Sequence, residues 1–589
     1  MATSDPLSSL EGDMLDVAPG VKVVNGDIKA TDHLERLPNV ANGTNGSMQN
    51  GHTNETVKHQ CDVLVVGAGF SGITAIHRFR KLGLKVKCFE AGGDFGGVWY
   101  WNRYPGARVD SEAPFYQLNI PEVYRDFTFT QRFPGHVELR RYMAHIDNVL
   151  ELRKDVTFDA QVISAVFDEA KGLWTVKTAT GHEATCKYLM LASGLLHRKY
   201  TPDLPGLDRY KGKLVHSASY PEDLDCTGKK VGLVGAGATA VQITQELGKE
   251  AKELTVFLRR PSYCLPMGQR KMTEEEQTQW KSFYPSLFSS GRDSRVGFPA
   301  DPKPQGALDV SAEERNAWFE NTWKRGGFHY QLSAYSDTLI NKESNRVVYD
   351  FWASKVRERL TDPKKQAIMA PKEPPYFFGT KRNPLENDYY EVLNQSNVQL
   401  VDLKASPLKT FEETGMRMED GVLHDFDVVV LATGFDSFTG SLTTMGLKNT
   451  AGVDLKDLWK DGVHTFLGLT ISGFPNMFMS YTPQAPTALS NGTTIIEAQV
   501  ETIVDMVAKM ERENVKSIEA KKDAEAQWKK ALTDMANMTL LPYTSSWWDG
   551  SNIPGKKAEG MTYIGGINNY EKECRATMDG WKGFEVVAA

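Results

Sequence analysis

The fold turns on CDVLVVGAGFSGITAIHRFRKLGLKVKCFE, Cys61 to Glu90. Its opening apolar run is short and continuous, which predicts a strand buried on both faces and not a half-exposed one. Gly67, Gly69 and Gly72 follow at once and open a helical pattern, and a second apolar run closes the unit on Glu90. Strand, glycine turn, helix and strand make one βαβ unit. In that setting the backbone N–H groups and the helix N-terminus are placed to meet a pyrophosphate. Glu90 lies 18 residues beyond Gly72, at the strand end, where a carboxylate accepts bonds from ribose hydroxyls and repels a 2′-phosphate. The first site therefore suits FAD or NAD, not NADP.

A second unit, KKVGLVGAGATAVQITQELGKEAKELTVFLRR, runs from Lys229 to Arg260 with Gly235, Gly237 and Ala240 in a GxGxxA turn. Here the second strand ends on Arg259 and Arg260, whose place relative to Gly235 and Gly237 reads as that of Glu90 relative to Gly67 and Gly69. Guanidinium groups at that point suit a 2′-phosphate, hence NADPH, although adjacent arginines also fit a solvated strand end. Two sites of opposite ribose preference imply hydride transfer from NADPH to a flavin in the first lobe. The expected fold is α/β, with two Rossmann-like dinucleotide-binding domains for FAD and NADPH. Helical periodicity in SAEERNAWFENTWKRG and NRVVYDFWASKVRERL places a helical insertion at about 270–360 in the second domain.

The expected boundaries are a disordered tail over residues 1–58, a first FAD part over 59–200, an NADPH domain over 201–395, and a second FAD part with a C-terminal cofactor-contacting segment over 396–589. The tail reading rests on NVANGTNGSMQNGHTNET, which is too polar to offset its ordering entropy by burial. Composition narrows the function. With 68 Lys and Arg against 75 Asp and Glu, the net charge of −7 offers no global basic face for nucleic acid. No apolar run approaches the roughly 18 residues that span a bilayer. Six scattered cysteines without a CxxC pair fit a reducing, cytoplasmic setting and leave the flavin no dithiol to reduce. Oxygen or an organic acceptor is then the expected destination of its electrons.

Between the two units stands GGVWYWNRYPGARVD, Gly96 to Asp110, which follows neither strand nor helix periodicity and suits a loop pressed against a flat ligand. This run resembles the fingerprint GGxWxxxRYPGxxxD of Baeyer–Villiger monooxygenases, through Gly96, Gly97, Trp99, Arg103, Tyr104, Pro105, Gly106 and Asp110. YKGKLVHSASYP resembles the family's FxGxxxHxxxWP through Gly212, His216 and Pro221, with Tyr210 for Phe and Tyr220 for Trp. Tyr at the latter place is also what heteroatom-oxidising flavin monooxygenases carry. The similarity runs from about residue 60 to 575 and takes in FGTKRNPLENDYYEVLNQSNV and SSWWDGSNIPGKK.

The resemblance implies that NADPH reduces FAD, that oxygen adds at flavin C4a, and that the resulting peroxide attacks a ketone to give an ester or lactone. It implies Arg382 and Asp110 as the catalytic pair, Asp110 orienting the arginine. It places Val98, Trp99, Asp110, Tyr116 and Val162 along FAD, and Lys381, Arg382 and Trp547 against the cofactors, with Gly492 replacing a bulkier family residue. A ketone and O2 are the implied partners, with no obligate protein partner. Two alternatives stand beside this reading: a flavin enzyme hydroxylating nitrogen or sulfur, and a non-catalytic nucleotide-sensing module.

Overall fold

The computed structural model describes residues 56–589. The tail expected over residues 1–58 lies outside the described residues except at its end. There Val57–Gln60 is already a strand, paired in parallel with His182–Cys186, so the first lobe starts earlier than expected.

At the centre of that lobe Val63–Val66 is buried along its whole length. It pairs in parallel with Val86–Phe89 on one side and Tyr188–Leu191 on the other, and Val156–Thr157 and Met477–Met479 complete a five-stranded sheet. The continuous apolar run has a simple cause. Val63 and Val65 point into a core shared with helices Phe70–Lys81 and Gly492–Arg512, while Leu64 and Val66 point into a core built on a second, mixed sheet that includes Leu173–Thr178. With alternate side chains meeting opposite cores, neither face can be polar.

The second lobe repeats the plan. Lys230–Val234 lies between Glu253–Leu258 and Val428–Leu431, with Val398–Asp402 and Lys213–His216 at the edges, all parallel. This corrects the boundary expected at 395/396. The strands Val398–Asp402 and Val428–Leu431 belong to the second sheet, and a three-stranded antiparallel ribbon, Leu408–Phe411, Gly415–Met418 and Leu423–Asp425, hangs between them. An apolar run such as VVVL fits either buried sheet equally well, and only pairing decides which.

The helical insertion includes Glu274–Lys281, Tyr284–Asp293, Ala312–Arg325, Lys342–Arg359 and Pro363–Met369, so it runs one helix beyond the expected end. Ser311 and Asn341 cap two of these helices by accepting from the N–H groups of Glu314 and Ser344. Aromatic stacking fixes the insertion on the second lobe: Tyr263 lies 4.2 Å from Tyr376, and Trp352 donates to the Cys264 carbonyl at 2.8 Å. Tyr284–Asp293 instead reaches the first lobe, where Arg292 pairs with Glu501 and Glu571.

The first glycine turn is packed too tightly to admit a side chain. A Cβ on Gly72 would lie 1.8 Å from the Gly67 carbonyl oxygen, a backbone atom that cannot swing aside. Gly72→Ala should therefore cost at least about 1–3 kcal/mol, the usual range for overpacking. The check is the temperature at which flavin fluorescence appears on heating; an unchanged release temperature would contradict this account.

Candidate active site

The two glycine turns are built on the same constraint. Gly67 has φ +104° and its Cβ position lies 2.6 Å from the Ala192 carbonyl oxygen; Gly235 has φ +142° and its Cβ position lies 2.4 Å from that of Ala432. In both lobes the carbonyl at the end of the adjoining strand thus closes on the turn, and no side chain fits. Gly69 faces Gly97, with a Cβ–Cα separation of only 3.3 Å, so the fingerprint loop runs directly against the first turn. Nothing stands within 4 Å of a Cβ on Gly237, and Ala240 is accommodated in the core where the first lobe requires Gly72. The second turn is the looser of the two.

Glu90 is buried. Its two carboxylate oxygens accept from the Ala68 and Gly92 N–H groups, each at 2.6 Å. Burial raises its pKa, and those N–H groups oppose the shift. The carboxylate is oriented before any ribose arrives, with lone pairs remaining for hydroxyls. Val162 begins a strand two residues after Ala160, whose N–H donates to the Glu90 carbonyl at 2.8 Å, and Val98 opens the short helix Val98–Trp101 beyond Gly97. Glu90, Val98 and Val162 thus lie on segments that adjoin one another beyond the C-terminal ends of Val63–Val66 and Val86–Phe89.

The arginines need a correction of one residue. Val66 is level with Phe89 in the first sheet and Val234 with Phe257 in the second, relative to their partner strands, so Leu258 and not Arg259 occupies the place of Glu90. Leu258 is buried, and the strand runs one position farther before Arg259 emerges. The chemistry survives, because the position that would repel a phosphate carries no charge. Among the described residues, no ion pair engages Arg259, Arg260 or Lys381. Burial, then Arg260, lowers the Lys381 pKa to about 8, with Arg259 and Lys404 adding to the effect and Asp549 opposing it. Three cations repelling one another without a carboxylate partner fit a doubly charged phosphate.

Between the lobes, Asp110 and Arg382 form a two-pronged pair. Arg382 Nε donates to Oδ2 at 2.8 Å and one terminal nitrogen to Oδ1 at 2.7 Å, while the other terminal nitrogen donates to the Ala488 carbonyl at 2.9 Å. Burial works against the guanidinium charge and Asp110 more than restores it, holding the pKa above its ordinary value. The side chains are 25% and 23% exposed, so the pair borders accessible space and is not sealed in a core. Phe328, from the insertion, lies 5.3 Å from the guanidinium. Trp99 donates to the Tyr116 hydroxyl at 3.0 Å, and a Cβ on Gly492 would lie 3.9 Å from the Tyr116 ring and 3.5 Å from the Tyr481 hydroxyl. Phe328, Tyr481 and Ala488 carry no sequence motif; the positive φ of Tyr481 and Ala488, +59° and +67°, is the sign that marks them once the backbone is known.

Other expected residues lie elsewhere. Trp547 stacks on Phe438 at 5.7 Å, in a segment tied by Lys556 to Asp436 at 2.9 Å. His216 has both ring nitrogens engaged, Nδ1 accepting from the Ala218 N–H at 3.1 Å and Nε2 lying 3.2 Å from the Tyr200 carbonyl. That is a structural histidine. Tyr210 donates to the Phe426 carbonyl at 2.9 Å, and the buried Tyr220 hydroxyl lies 3.5 Å from Cys226 Sγ, so both departures from the fingerprint are absorbed by the second lobe. No metal-binding cluster occurs among the described residues, and no described helix is long and apolar enough to cross a membrane.

A flavin fold and a nicotinamide fold meeting at a fixed cation, with no dithiol, define a flavin-dependent monooxygenase. A family model described as flavin-binding monooxygenase-like matches residues 60–272. The chain is 44% identical to the FAD-binding monooxygenase acrE of Aspergillus aculeatus, over 90% of each chain, and 37% identical to cyclopentanone 1,2-monooxygenase of Comamonas sp., over 91% of this chain and 98% of that one. It superposes on NADP+-bound cyclohexanone monooxygenase from Rhodococcus sp. Phi1 with a TM-score of 0.87 at 36% identity, covering 90% of this chain and 99% of the other. The chain belongs to the Baeyer–Villiger monooxygenases, flavoproteins that use FAD, NADPH and O2 to insert one oxygen atom beside a ketone carbonyl.

The cation cluster sets two expectations. If Arg259 meets the 2′-phosphate, Arg259→Ala removes a charge-assisted contact worth about 1.5–3 kcal/mol, and KM for NADPH should rise roughly tenfold or more while KM for NADH holds. An equal loss for both nucleotides would contradict the phosphate role. The depressed Lys381 pKa means that the free enzyme loses this cation as pH rises through about 8. The NADPH preference should therefore weaken above that pH, and Lys381→Arg should flatten the dependence. Ratios of KM for the two nucleotides between about pH 6.5 and 9.5 test the sign.

Proposed function

We propose that Arg382 is the residue on which ketone oxygenation depends, with Asp110 positioning it. The observation that supports this most directly is the two-pronged pair between a first-lobe loop and a loop that follows the second-lobe insertion. FAD reduced by NADPH supplies the activated oxygen when bound. Glu90, Gly67, Gly69, Gly72, Val98, Trp99, Tyr116 and Val162 hold that cofactor; Gly235, Gly237, Ala240, Arg259, Arg260 and Lys381 hold the nucleotide, and Trp547 acts from the C-terminal segment.

The chemistry asked of Arg382 is to stabilise negative charge. Its guanidinium is held charged and planar by Asp110 and by the Ala488 carbonyl, so it offers a cation that need not reorganise as charge gathers on the substrate oxygen. Hydroxylation of nitrogen or sulfur builds no oxyanion and has no use for it. Tyr220, which suggested that alternative, is buried against Cys226, away from solvent. Gly492 leaves room between Tyr116 and Tyr481 where a side chain would stand, which supports ketones with bulk beside the carbonyl. The six described cysteines are free and buried, which supports a cytoplasmic setting; both nucleotide lobes reside on one chain, which supports action without an obligate protein partner.

The test is Arg382→Ala. The variant should keep FAD and still be reduced by NADPH, more slowly where Lys381 is disturbed. Ester formation should fall by at least about 10²–10³-fold and NADPH consumption should end in hydrogen peroxide. Asp110→Ala should give a milder version, because it removes the orienting carboxylate and leaves the cation. Stopped-flow reduction, product and peroxide assays decide it: near-normal ester formation by Arg382→Ala removes the residue from the mechanism.

A further inference from the structure

Tyr481 belongs to no sequence motif, yet the structure sets it at the reaction centre at a cost. A bulky side chain at φ +59° is strained and persists only where its surroundings fix it. Here they do. The Tyr481 N–H donates to the Gln499 side chain at 2.8 Å, and Gln499 donates to the Tyr570 hydroxyl at 2.9 Å, which in turn donates to the Leu467 carbonyl.

Ala488, also at positive φ, links Tyr481 to the catalytic arginine. Its carbonyl accepts from Arg382, and burial raises the Tyr481 pKa, which keeps the phenol protonated. Among the described residues no hydrogen bond engages the Tyr481 hydroxyl, so its proton is free to donate. The hydroxyl borders the space at Gly492, 3.5 Å from where a side chain would begin. Arg382 commits three of its five N–H groups to Asp110 and Ala488. Two N–H groups remain for a substrate oxygen, and a carbonyl with two lone pairs can accept from a second donor that approaches from the Tyr481 side as well.

We propose that Tyr481 is a further catalytic residue of ketone oxygenation, donating a hydrogen bond from its phenol to the substrate carbonyl oxygen beside Arg382. The proposal rests on the role of Arg382 argued above. No bond to the phenol forms or breaks: the hydrogen bond strengthens as the carbonyl π pair moves onto oxygen and relaxes when the pair returns. The proton stays on Tyr481 throughout.

The test is Tyr481→Phe in the FAD-loaded enzyme, with cyclohexanone, phenylcyclohexanone and methyl phenyl sulfide as probes. Sulfide oxygenation places no charge on a carbonyl oxygen and serves as the internal control. The expected result is a fall in the ketone-to-sulfide ratio of kcat/KM by roughly 10- to 100-fold, with more hydrogen peroxide per NADPH in the presence of ketone. Equal losses on ketone and sulfide, or none, overturn the proposal. If the Phe variant fails to retain FAD, fluorotyrosine at position 481 replaces it: a changed ketone rate with an unchanged sulfide rate supports the phenol, and no selective change overturns it. Near-normal ester formation by Arg382→Ala with Tyr481 intact overturns the arginine reading instead.

Discussion

The ion pair from Asp110 to Arg382 joins the fingerprint loop of the first lobe to the loop that follows the second-lobe insertion, and the proposed chemistry depends on it. Its worth lies in position more than in net stability, because the desolvation of two half-buried charges offsets most of their attraction. Its removal is costly for another reason. Deleting Asp110 leaves a cation with only the Ala488 carbonyl as partner, and deleting Arg382 leaves a carboxylate facing the cofactor space. The pair therefore holds the fingerprint loop, the loop after the helical insertion and the strained 481–488 loop to one arrangement, and each of these has a separate fold-level support. Gly97 packs against Gly69 behind Asp110, Asn383 donates to the Tyr263 carbonyl next to Arg382, and Gln499 holds Tyr481.

Whether a residue was legible in the sequence depended on whether its constraint was local. The two glycine turns follow from strand, turn and helix within some thirty residues, and the structure repeats the same carbonyl approach in both. The Arg259 reading is off by one because it matches charged strand ends: counted from Gly67 and Gly235, Glu90 and Leu258 both lie 23 residues on, and the strand pairing agrees. Val428–Leu431 was assigned to the first lobe for a related reason: buried strands of parallel sheets look alike in composition, and lobe membership is a long-range property. The family likeness supplied Asp110 and Arg382, which are 272 residues apart and have no local signal joining them.

Tyr481, Ala488 and Phe328 were illegible for a different reason. Positive φ at a tyrosine runs against its own preference, so no propensity argument can anticipate it. The strain is supported by hydrogen bonds from Gln499 on helix Gly492–Arg512, 18 residues along, and through it from Tyr570 on helix Ile567–Ala576, much farther on. Local preference yielding to tertiary constraint is what is expected where a backbone has been bent to present the Ala488 carbonyl to Arg382.

The chain crosses between the lobes twice, and the two crossings are fastened together. Lys199 and Phe435 bridge in antiparallel fashion, the Tyr200 N–H donates to the Gly434 carbonyl, and the Asp436 N–H donates to the Arg198 carbonyl, each at 2.9 Å. His216 and Thr433 both address the Tyr200 carbonyl from the second lobe, and Lys556 and Asn552 clasp Asp436 and Phe435 from the C-terminal segment. A hydrogen-bonded pair of crossings can bend only as a unit, so any change in the angle between lobes moves both together and is felt at the C-terminal clasp. This accounts for the family histidine better than direct catalysis does: with both ring nitrogens engaged it has nothing left to offer a substrate, and it braces the junction between the lobes. The Asp110–Arg382 pair and this clasp are thus two independent ties across one junction. The first is charged and tied to the chemistry; the second is a polar brace that keeps the lobes in register while the first does its work.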